Sequence, residues 1–308
     1  MNVLVVGGAG YIGSHCVRQA LAAGHAVAVL DDLSYGHAES VPSGVELFRA
    51  DMGDEPAVRA ALRARRADVV IDFAAFTNVG ESVRQPERYH ENNVVRTEGL
   101  LRAMLAEGVR KLVFASSAAI YGDNPVVPKV ESMLPEPKSP YAITKLDGEY
   151  YLDLFRREGR LETAAIRFFN VFGPRQDPKG AYAAAVPIFI DKAVKGEDIT
   201  IFGDGGQTRD FIYVKDIVGA LAFAAANPAV AGTYNVGYGR KMTVKELAQE
   251  VIRLTGSTSA IEHKPERLGD VKHSLASADK LRAAGWSPQH TVAEGLDATV
   301  AYFRSLKA

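Results

Sequence analysis

The chain has 308 residues with 36 basic and 37 acidic side chains, a near balance that speaks against nucleic acid or an acidic membrane surface as a partner. This length can form one large core or two smaller ones. The single cysteine, Cys16, excludes internal disulfides, and no apolar run long enough to span a membrane occurs, so we expect a soluble cytoplasmic protein without a signal peptide.

The first predicted element is a strand over Val3–Val6, followed directly by a glycine-rich turn. A short apolar run that breaks abruptly is typical of a strand buried on both faces of a parallel sheet. Glycines at positions 7, 8, 10 and 13 fit both G-x-x-G-x-x-G and G-x-G-x-x-G, spacings that allow a tight turn and a close approach of the backbone to a pyrophosphate. Tyr11–Ala23 is predicted to be a helix whose N-terminal N–H groups face that phosphate. We therefore expect a dinucleotide site here.

The next predicted strand, Ala26–Leu30, ends at Asp31. This residue lies 18 positions after Gly13, a separation at which a carboxylate meets the adenosine ribose hydroxyls of a dinucleotide. Asp32 follows it, and no arginine stands nearby in the sequence to accept a 2′-phosphate. The pattern predicts NAD rather than NADP.

Strands and helices then alternate through the first half of the chain. Successive units of this kind require right-handed crossovers, so we predict an α/β fold with a doubly wound parallel sheet, the Rossmann arrangement. The predicted elements are the strand Val45–Ala50, the helix Glu55–Arg65, the strand Asp68–Phe73, the helix Pro86–Glu107, the strand Val109–Ala115, a loop over Gly122–Lys138, a helix from Tyr141 to about Arg157 and the strand Glu162–Phe168. Ser139 and Pro140 are a typical helix start, with serine as N-cap and proline in the first turn.

The pattern changes after Asn170, so we place a domain boundary there. Residues 1–170 are expected to bind NAD and residues 171–308 to form a smaller mixed α/β substrate domain, with segments around 210–236 as candidates to return to the first domain. The predicted elements are the helix Ala183–Lys195, the strand Asp198–Ile201, a glycine-rich loop over Gly203–Thr208 and two helices opened by the capping boxes Thr243-x-x-Glu246 and Thr291-x-x-Glu294. The first of these two helices is expected to end near Thr255, before Gly256.

Ser117, Tyr141 and Lys145 are the residues with the clearest chemical potential. Tyr141 and Lys145 are four positions apart on a predicted helix, so both side chains project from one face. A tyrosine with a pKa of ~10 is a poor base at neutral pH, but an ammonium group beside it and the positive nicotinamide of oxidised NAD favour the phenolate. Ser117, at the end of a central strand, can share a hydrogen bond with the substrate oxygen. Alone, these residues would indicate only a solvated helix face and a cap; behind a dinucleotide loop they predict oxidation of an alcohol by hydride transfer.

At this point the sequence resembles the extended short-chain dehydrogenase/reductases, and among them the nucleotide-sugar 4-epimerases of the UDP-glucose (UDP-galactose) type. The resemblance covers essentially the whole chain. It is carried by the motifs G-G-A-G-Y-I-G-S-H (7–15), D-D-L (31–33), F-A-A (73–75), S-S-A-A-I-Y-G (116–122), S-P-Y-A-I-T-K (139–145), R-F-F-N-V-F-G-P-R (167–175), Q-T-R-D-F-I-Y-V-K-D (207–216) and P-E-R-L-G-D-V-K-H-S (265–274).

The resemblance implies a role for each matching residue. Tyr141 would be the base, Lys145 its electrostatic partner, and Ser117 a hydrogen-bond partner of the sugar 4-oxygen. The implied NAD contacts are Gly7, Gly10, Tyr11, Ile12, Gly13, Asp31, Asp32, Asp51, Met52, Phe73, Ala74, Ala75, Asn92, Ser116, Tyr141, Lys145 and Phe169. The implied UDP-sugar contacts are Thr77, Ser117, Tyr141, Asn170, Arg209, Arg267, Asp270 and Ser274. Independently of the family, a diphosphate needs such arginine forks.

The departures from the family pattern bear on the reaction and on the sugar. Related dehydratases carry Asp-Glu after the position of Ser117; Ala118 and Ala119 stand here, so dehydration is not expected. Thr77 replaces a lysine of some UDP-galactose epimerases, and Ala184 stands near an asparagine of some. Ser274 aligns with a residue that is a bulky tyrosine in glucose-restricted relatives, so tolerance of UDP-GlcNAc and UDP-GalNAc is predicted.

The sequence therefore predicts an NAD-dependent UDP-hexose 4-epimerase that oxidises C4 transiently. Two alternatives stay open: a UDP-glucuronate 4-epimerase or decarboxylase of the same family, and a non-catalytic NAD-sensing regulator, against which the intact Ser117, Tyr141 and Lys145 argue. The resemblance suggests a homodimer through helices near 86–107 and 141–157. The seven histidines form no close pair in the sequence, and no metal site is predicted.

Overall fold

The computed structural model of the chain describes residues 1–179, 184–266 and 272–306. Its strands are β1 (Asn2–Val6), β2 (Ala26–Leu30), β3 (Glu46–Phe48), β4 (Val69–Asp72), β5 (Lys111–Ser117), β6 (Glu162–Phe168), β7 (Asn170–Phe172), β8 (Ile199–Phe202), β9 (Thr208–Tyr213), β10 (Gly232–Val236), β11 (Lys241–Thr243) and β12 (Ile261–Lys264). Its α-helices are α1 (Tyr11–Ala22), α2 (Glu55–Ala64), α3 (Val79–Arg84), α4 (Pro86–His90), α5 (Arg96–Ala106), α6 (Pro140–Arg157), α7 (Ala185–Lys195), α8 (Val214–Ala226), α9 (Val244–Thr255), α10 (Asp279–Ala283) and α11 (Val292–Ser305). A π-helical turn (Glu91–Val95) joins α4 to α5, and 3₁₀ turns occur at Ala38–Ser40 and Ala118–Tyr121.

Seven parallel strands form the central sheet in the order β10-β6-β5-β4-β1-β2-β3. Apolar cores cover both faces. One core packs α1 and α8 on the sheet, and the other packs α2, α5 and α6. Strands buried on both sides need continuous apolar runs, which is why β1 and β2 are recognisable in the sequence. The doubly wound α/β fold is confirmed.

A second, smaller lobe follows β6. Its mixed sheet pairs β7 with β9 in parallel and β9 with β11 in antiparallel orientation, and β8 pairs with β12. Helices α7, α9 and α11 share one apolar core with these strands. Between β9 and β11 the chain crosses back to the first lobe, where β10 pairs with β6 at the edge of the central sheet. Within the described ranges, no helix combines the length and the apolar character needed to cross a bilayer.

Local patterns located most helix starts correctly. Ser139 caps α6 by accepting a hydrogen bond from the Ala142 N–H at 3.2 Å. Both capping boxes are present, at Thr243 and Thr291, and α9 ends before Gly256 as predicted. The predicted strands at 3–6, 26–30, 45–50, 68–73, 109–115 and 162–168 all exist, with ends that differ by up to two residues.

Two predicted elements differ from the structure. The helix predicted over Pro86–Glu107 is interrupted by the π-helical turn, where the buried Asn93 side chain binds the Phe76 backbone and the Thr144 hydroxyl. Thr208, predicted as the end of a loop, instead begins β9, because its backbone N–H and carbonyl pair with the segment at 272–274. The predicted start of α7 at residue 183 lies outside the described residues.

Candidate active site

A cleft opens at the carboxyl ends of β1, β2 and β4, where the strand order reverses between β1 and β4. Doubly wound sheets bind their ligands at such a reversal. The lining of the cleft contains many of the residues that the family resemblance assigns to the cofactor, namely Gly7, Gly10, Asp31, Asp32, Asp51, Met52, Phe73, Ala74, Ala75 and Asn92.

Gly7 and Gly13 allow the turn after β1 to pack tightly on its surroundings. Gly7 has a φ of +73°, and a Cβ there would lie 2.8 Å from the backbone nitrogen of Ala74. A Cβ on Gly13 would collide with the carbonyl oxygen of Gly7. Only glycine fits both positions. Gly10 is the N-cap of α1 and offers no side-chain cap, so the first backbone N–H groups of this helix remain as donors beside the cleft.

Two carboxylates stand at the end of β2. Asp31 is buried and accepts hydrogen bonds from the Ala9 and Leu33 N–H groups, each at 2.9 Å. Burial raises the pKa of Asp31, and these backbone hydrogen bonds lower it. Asp32 accepts from the Ser34 N–H at 2.8 Å. Backbone donors thus fix both carboxylates, and their other lone pairs are acceptors for hydroxyl groups in the cleft.

The other end of the cleft is built around Asp51 and Asn92. Arg96, the first residue of α5, joins them: its guanidinium lies 2.5 Å from the Asp51 carboxylate and donates to the Asn92 side chain at 3.0 Å. The Gly53 N–H also donates to Asp51 at 2.7 Å. Met52 is buried beside them. No local sequence pattern indicates the contact of Arg96 with Asp51.

The residues of this cleft fit a dinucleotide. The turn after β1 is a backbone cradle that a Cβ would fill, the N-terminus of α1 has no side-chain cap, and carboxylate acceptors line the cleft at the end of β2. These are the donors and acceptors that a pyrophosphate and a ribose require. No three His, Cys, Asp or Glu side chains are grouped to hold a metal ion in the part of the chain that the structure describes.

Tyr11 and Ile12 lie at the start of α1 but their side chains leave the cleft. The Tyr11 ring packs 5.7 Å from the His15 ring and against the core of the smaller lobe. Its hydroxyl is buried and has no hydrogen-bond partner among the described residues, and burial raises its pKa well above the ordinary value. Ile12 packs against both cores that meet here. Their predicted cofactor contacts are therefore limited to backbone atoms.

Ser117, Tyr141 and Lys145 meet at the end of β5. Tyr141 is buried, and its hydroxyl lies near the Ser117 hydroxyl, which lowers the pKa of Tyr141. Ser117 Oγ also accepts from the Ala119 N–H at 3.1 Å. Lys145 is buried and donates from Nζ to the carbonyl oxygen of Ala115 at 2.8 Å. Helix α6 therefore lays both of its functional side chains over the end of β5.

The protein raises the pKa of Tyr141, whereas the sequence suggested that its surroundings favour the phenolate. Burial is the cause, and the neighbouring Ser117 hydroxyl opposes it only in part. Burial also lowers the pKa of Lys145 to about 8, against the carboxylates of Asp72 and Glu149. A tyrosine enclosed in this way stays protonated at neutral pH until positive charge is brought beside it.

The Ser116 side chain turns away from the cleft, so the cofactor contact predicted for this residue would be made by its backbone. Its hydroxyl donates to Glu149 at 2.5 Å, because adjacent residues of a strand face opposite sides. Glu149 also accepts two hydrogen bonds from Arg167, at 2.9 and 2.7 Å, and Arg167 donates to the Tyr121 hydroxyl at 2.7 Å. This buried network was not predicted. Because it binds the Ser116 side chain, only the backbone of Ser116 remains available to a cofactor.

Three of the predicted substrate residues, Asn170, Arg209 and Ser274, lie where β7 and β9 meet the segment after residue 271. The Asn170 amide donates to the Asp210 carbonyl at 3.3 Å. Arg209 donates to the Thr208 carbonyl at 3.0 Å, and the Ser274 N–H donates to the same carbonyl at 3.1 Å. The Arg209 side chain and the Ser274 backbone therefore meet at the carbonyl of Thr208.

Phe169 lies between this region and the end of β5. It packs with Ile120, Tyr121 and Ala276, the last of which follows Ser274 by two positions. Thr77 is exposed in the loop after β4. Ala184 is exposed before α7. Arg267 and Asp270 lie outside the described residues, so their predicted contacts are not located.

Tyr35 and Phe76 also line the cleft, although the sequence did not single them out. Their rings lie 5.5 Å apart in an edge-to-face contact, and the Tyr35 hydroxyl donates to Glu81 at 3.2 Å. Tyr35 follows Asp31 in the same loop, which is the only local hint of its position. The contact joins the loops after β2 and β4 across the cleft.

Comparison with known proteins places this geometry in context. Residues 3–237 match the NAD dependent epimerase/dehydratase family. The UDP-glucose 4-epimerase of Mycolicibacterium smegmatis is 40% identical over 313 residues, covering 99% of each chain. The structure of UDP-glucose 4-epimerase from Thermus thermophilus in complex with NAD is similar with a TM-score of 0.92 and 42% identity over 99% of each chain. UDP-N-acetylglucosamine 4-epimerase from Methanobrevibacter ruminantium, with UDP-N-acetylmuramic acid, is similar with a TM-score of 0.94 and 37% identity over 99% of this chain and 98% of that one.

Proposed function

The chain belongs to the NAD dependent epimerase/dehydratase family, and we propose that it interconverts UDP-glucose and UDP-galactose by epimerisation at C4. It is an NAD-dependent epimerase of nucleotide sugars, as are its relatives. The observation that supports epimerisation at C4 is the pair of Tyr141 and Ser117 hydroxyls at the end of β5, with Lys145 one helical turn away. The adjoining cleft is built for a dinucleotide.

In the proposed mechanism Tyr141 accepts the proton of the sugar 4-hydroxyl. Ser117 hydrogen-bonds the same oxygen and holds it at the phenol. NAD, when bound, supplies the acceptor and donor of the hydride at C4. Lys145 provides positive charge that favours the phenolate. Tyr141 then returns the proton to the oxygen after the sugar has presented its other face, so that the configuration at C4 is inverted while the nucleotide stays anchored.

We propose a second sugar pair, UDP-GlcNAc and UDP-GalNAc, because Ser274 is small and lies beside Arg209 in the substrate region. The similar enzyme from Methanobrevibacter ruminantium is named for UDP-N-acetylglucosamine. Arg209, Asn170 and, from the resemblance, Arg267 and Asp270 are proposed to hold the nucleotide diphosphate. Thr77 is proposed to face the sugar from the loop after β4.

We also propose two lobes with separate tasks, residues 1–170 with β10 for NAD and the remainder for the UDP-sugar. A homodimer is proposed because α6 presents exposed Ile143, Tyr150 and Leu154 on one face, and such apolar strips are uncommon on monomers. The cytoplasm is the proposed location, since Cys16 is an unpaired buried thiol.

Proton NMR of the purified protein with UDP-galactose and, separately, UDP-GalNAc tests the proposal. The anomeric signals of the corresponding gluco forms are expected to appear without added NAD. Tyr141→Phe is expected to lower the rate at least about a hundredfold, because it removes the proton acceptor, while its bound NAD stays at the level of the unaltered protein. No conversion of either sugar, even with added NAD, would contradict the substrate assignment and turn attention to the UDP-uronates.

A further inference from the structure

Asp72 is a buried carboxylate for which the proposed mechanism has no use. It ends β4 and is 1% exposed. Its Oδ1 accepts from the Ala74 N–H at 2.9 Å. Its Oδ2 is buried and has no hydrogen-bond partner within residues 1–179, 184–266 and 272–306. A carboxylate oxygen buried without a donor is costly, so a nearby positive charge is needed to explain it.

Lys145 supplies that charge. Strand β4 pairs with β5 so that Asp72 stands opposite Phe114. The Lys145 Nζ lies 4.7 Å from the centre of the Phe114 ring and donates to the carbonyl of Ala115, the next residue along β5. The ammonium group therefore lies over the part of β5 that adjoins Asp72. Its charge lowers the pKa of Asp72, and the charge of Asp72 raises the pKa of Lys145.

The other groups around Lys145 leave Asp72 as its counter-charge. Glu149, one turn further along α6, also faces Lys145. Its charge, however, is matched by the two hydrogen bonds from Arg167. Strand β5 contributes an aromatic ring and a carbonyl, neither of which titrates, and β1 places Val6 opposite Asp72.

We propose that Asp72 is a positioning residue of the epimerisation, whose carboxylate keeps Lys145 protonated and thereby favours the Tyr141 phenolate. This inference rests on the proposed function for its role in turnover, but the charge pair itself does not depend on the substrate. Asp72 acts through Lys145 and does not touch the sugar. Its hydrogen bond to Ala74 is a second, structural task that a neutral side chain can also perform.

Asp72 and Lys145 are both charged only within a defined range of pH. Burial raises the pKa of Asp72 to about 6 and lowers that of Lys145 to about 8. Below about pH 6 Asp72 takes up a proton and no longer supports the ammonium, and above about pH 8 Lys145 loses its proton. Both groups are charged between these values, so the proposed support for Tyr141 is greatest there.

Asp72→Asn tests the proposal because it keeps the oxygen that accepts from Ala74 and removes the charge. The titration of Lys145 is followed by NMR in the NAD-loaded protein labelled with [ε-¹³C]lysine, with Lys145→Met to assign the resonance. The midpoint of Lys145 is expected to fall by about one pH unit in Asp72→Asn, and the alkaline limb of kcat/KM to move with it. Asp216→Asn is the control, since Asp216 is a buried carboxylate that pairs with His290 and should leave Lys145 unchanged.

An unchanged Lys145 midpoint in folded Asp72→Asn would overturn the proposal. If that variant does not fold, Lys145→Met provides the reciprocal measurement, in which the Asp72 carboxyl ¹³C midpoint should rise by about one pH unit; no rise would equally overturn it. If the unaltered protein converts no UDP-sugar, the proposed function fails, whereas the lysine titration still decides whether Asp72 and Lys145 form a charge pair.

Discussion

Tyr141 and Lys145 show how burial opposes the charges that the reaction needs. Burial raises the pKa of the phenol and lowers that of the ammonium, so desolvation alone favours a neutral pair. The reactive pair, phenolate and ammonium, depends on compensating charge. Asp72 supplies most of it around Lys145, since Arg167 matches the charge of Glu149. The site is thus closed to base chemistry unless its carboxylates and its ligands together restore the charges that burial removes.

Ser274 is the residue on which the choice of sugar is expected to depend. Ser274→Tyr would add a ring beside Thr208 and Arg209, in the region proposed to hold the UDP-sugar. Turnover of UDP-GalNAc should fall by about tenfold or more, a typical cost of excluding a substituent from a pocket, while UDP-galactose should lose far less. Initial rates from the anomeric proton signals measure both.

Ser274→Ala is the matched control and should keep both sugar pairs. Equal losses for the two sugars in Ser274→Tyr would contradict a role in selecting the sugar and would instead indicate general damage to the substrate region.

One face of helix α6 carries both the reactive residues and the residue that anchors the helix to the core. Tyr141, Lys145 and Glu149 follow one another at intervals of four positions and face β5. Glu149 binds Ser116 of β5 and Arg167 of β6. The ion pair therefore fixes the helix across two strands, and the position of Tyr141 depends on a contact two turns away.

Glu149→Gln is expected to lower the free energy of unfolding by about 3 to 5 kcal/mol, because it leaves the buried Arg167 charge without a counter-charge. Urea unfolding followed by circular dichroism measures the loss. Glu158→Gln removes the partner of Arg160 in a half-exposed pair and should cost less than about 1 kcal/mol. Similar losses in the two variants would show that the buried pair has no special weight.

Elements with local signals were predictable from the sequence, and those that depend on distant contacts were not. The caps at Ser139, Thr243 and Thr291 are formed within one turn of their own helix. Helix α8 lacks a polar stripe because it is buried between α1 and the sheet, so its periodicity is weak. Strand β10 is defined by its pairing with β6, far earlier in the chain. The π-helical turn likewise depends on Asn93 binding a loop and another helix.

The same division holds for the site. The glycine turn, Asp31 and the pair Tyr141 and Lys145 have fixed spacings, so a sequence can reveal them. Ser116 and Ser117 are adjacent and chemically identical, but they face opposite sides of β5, and only the packing of α6 places Glu149 beside one and Tyr141 beside the other. Asp72 ends an ordinary apolar strand, and its place beneath Lys145 follows from the register of β4 and β5.

At the scale of the whole molecule, the chain passes between its two lobes more than once. After β6 it enters the smaller lobe, and it returns through α8 and β10 to the central sheet. Tyr11 and Ile12 of α1 pack into the core of the smaller lobe. The lobes are therefore joined by packed side chains as well as by the chain, which suits a cofactor in one lobe and a substrate held by the other.

The exposed face of α6 leads to a prediction about assembly. Ile143, Tyr150 and Leu154 are 46%, 60% and 48% exposed on one side of the helix, and α6 packs against α3, α4 and the π-helical turn, where Val95 is also exposed. We expect a dimer of the 33.2 kDa chain in sedimentation velocity, and a monomer for Leu154→Asp, because a carboxylate buried in an apolar interface is costly. Leu306→Asp changes a leucine that is 64% exposed just after α11, in the smaller lobe, and should leave the dimer intact. A dimer that survives Leu154→Asp but not Leu306→Asp would move the interface to the smaller lobe, and a monomeric unaltered protein would contradict the assembly altogether. Because Tyr141, Lys145 and Glu149 lie on the opposite side of the same helix, a face-to-face contact through Leu154 would brace the reactive residues without covering them.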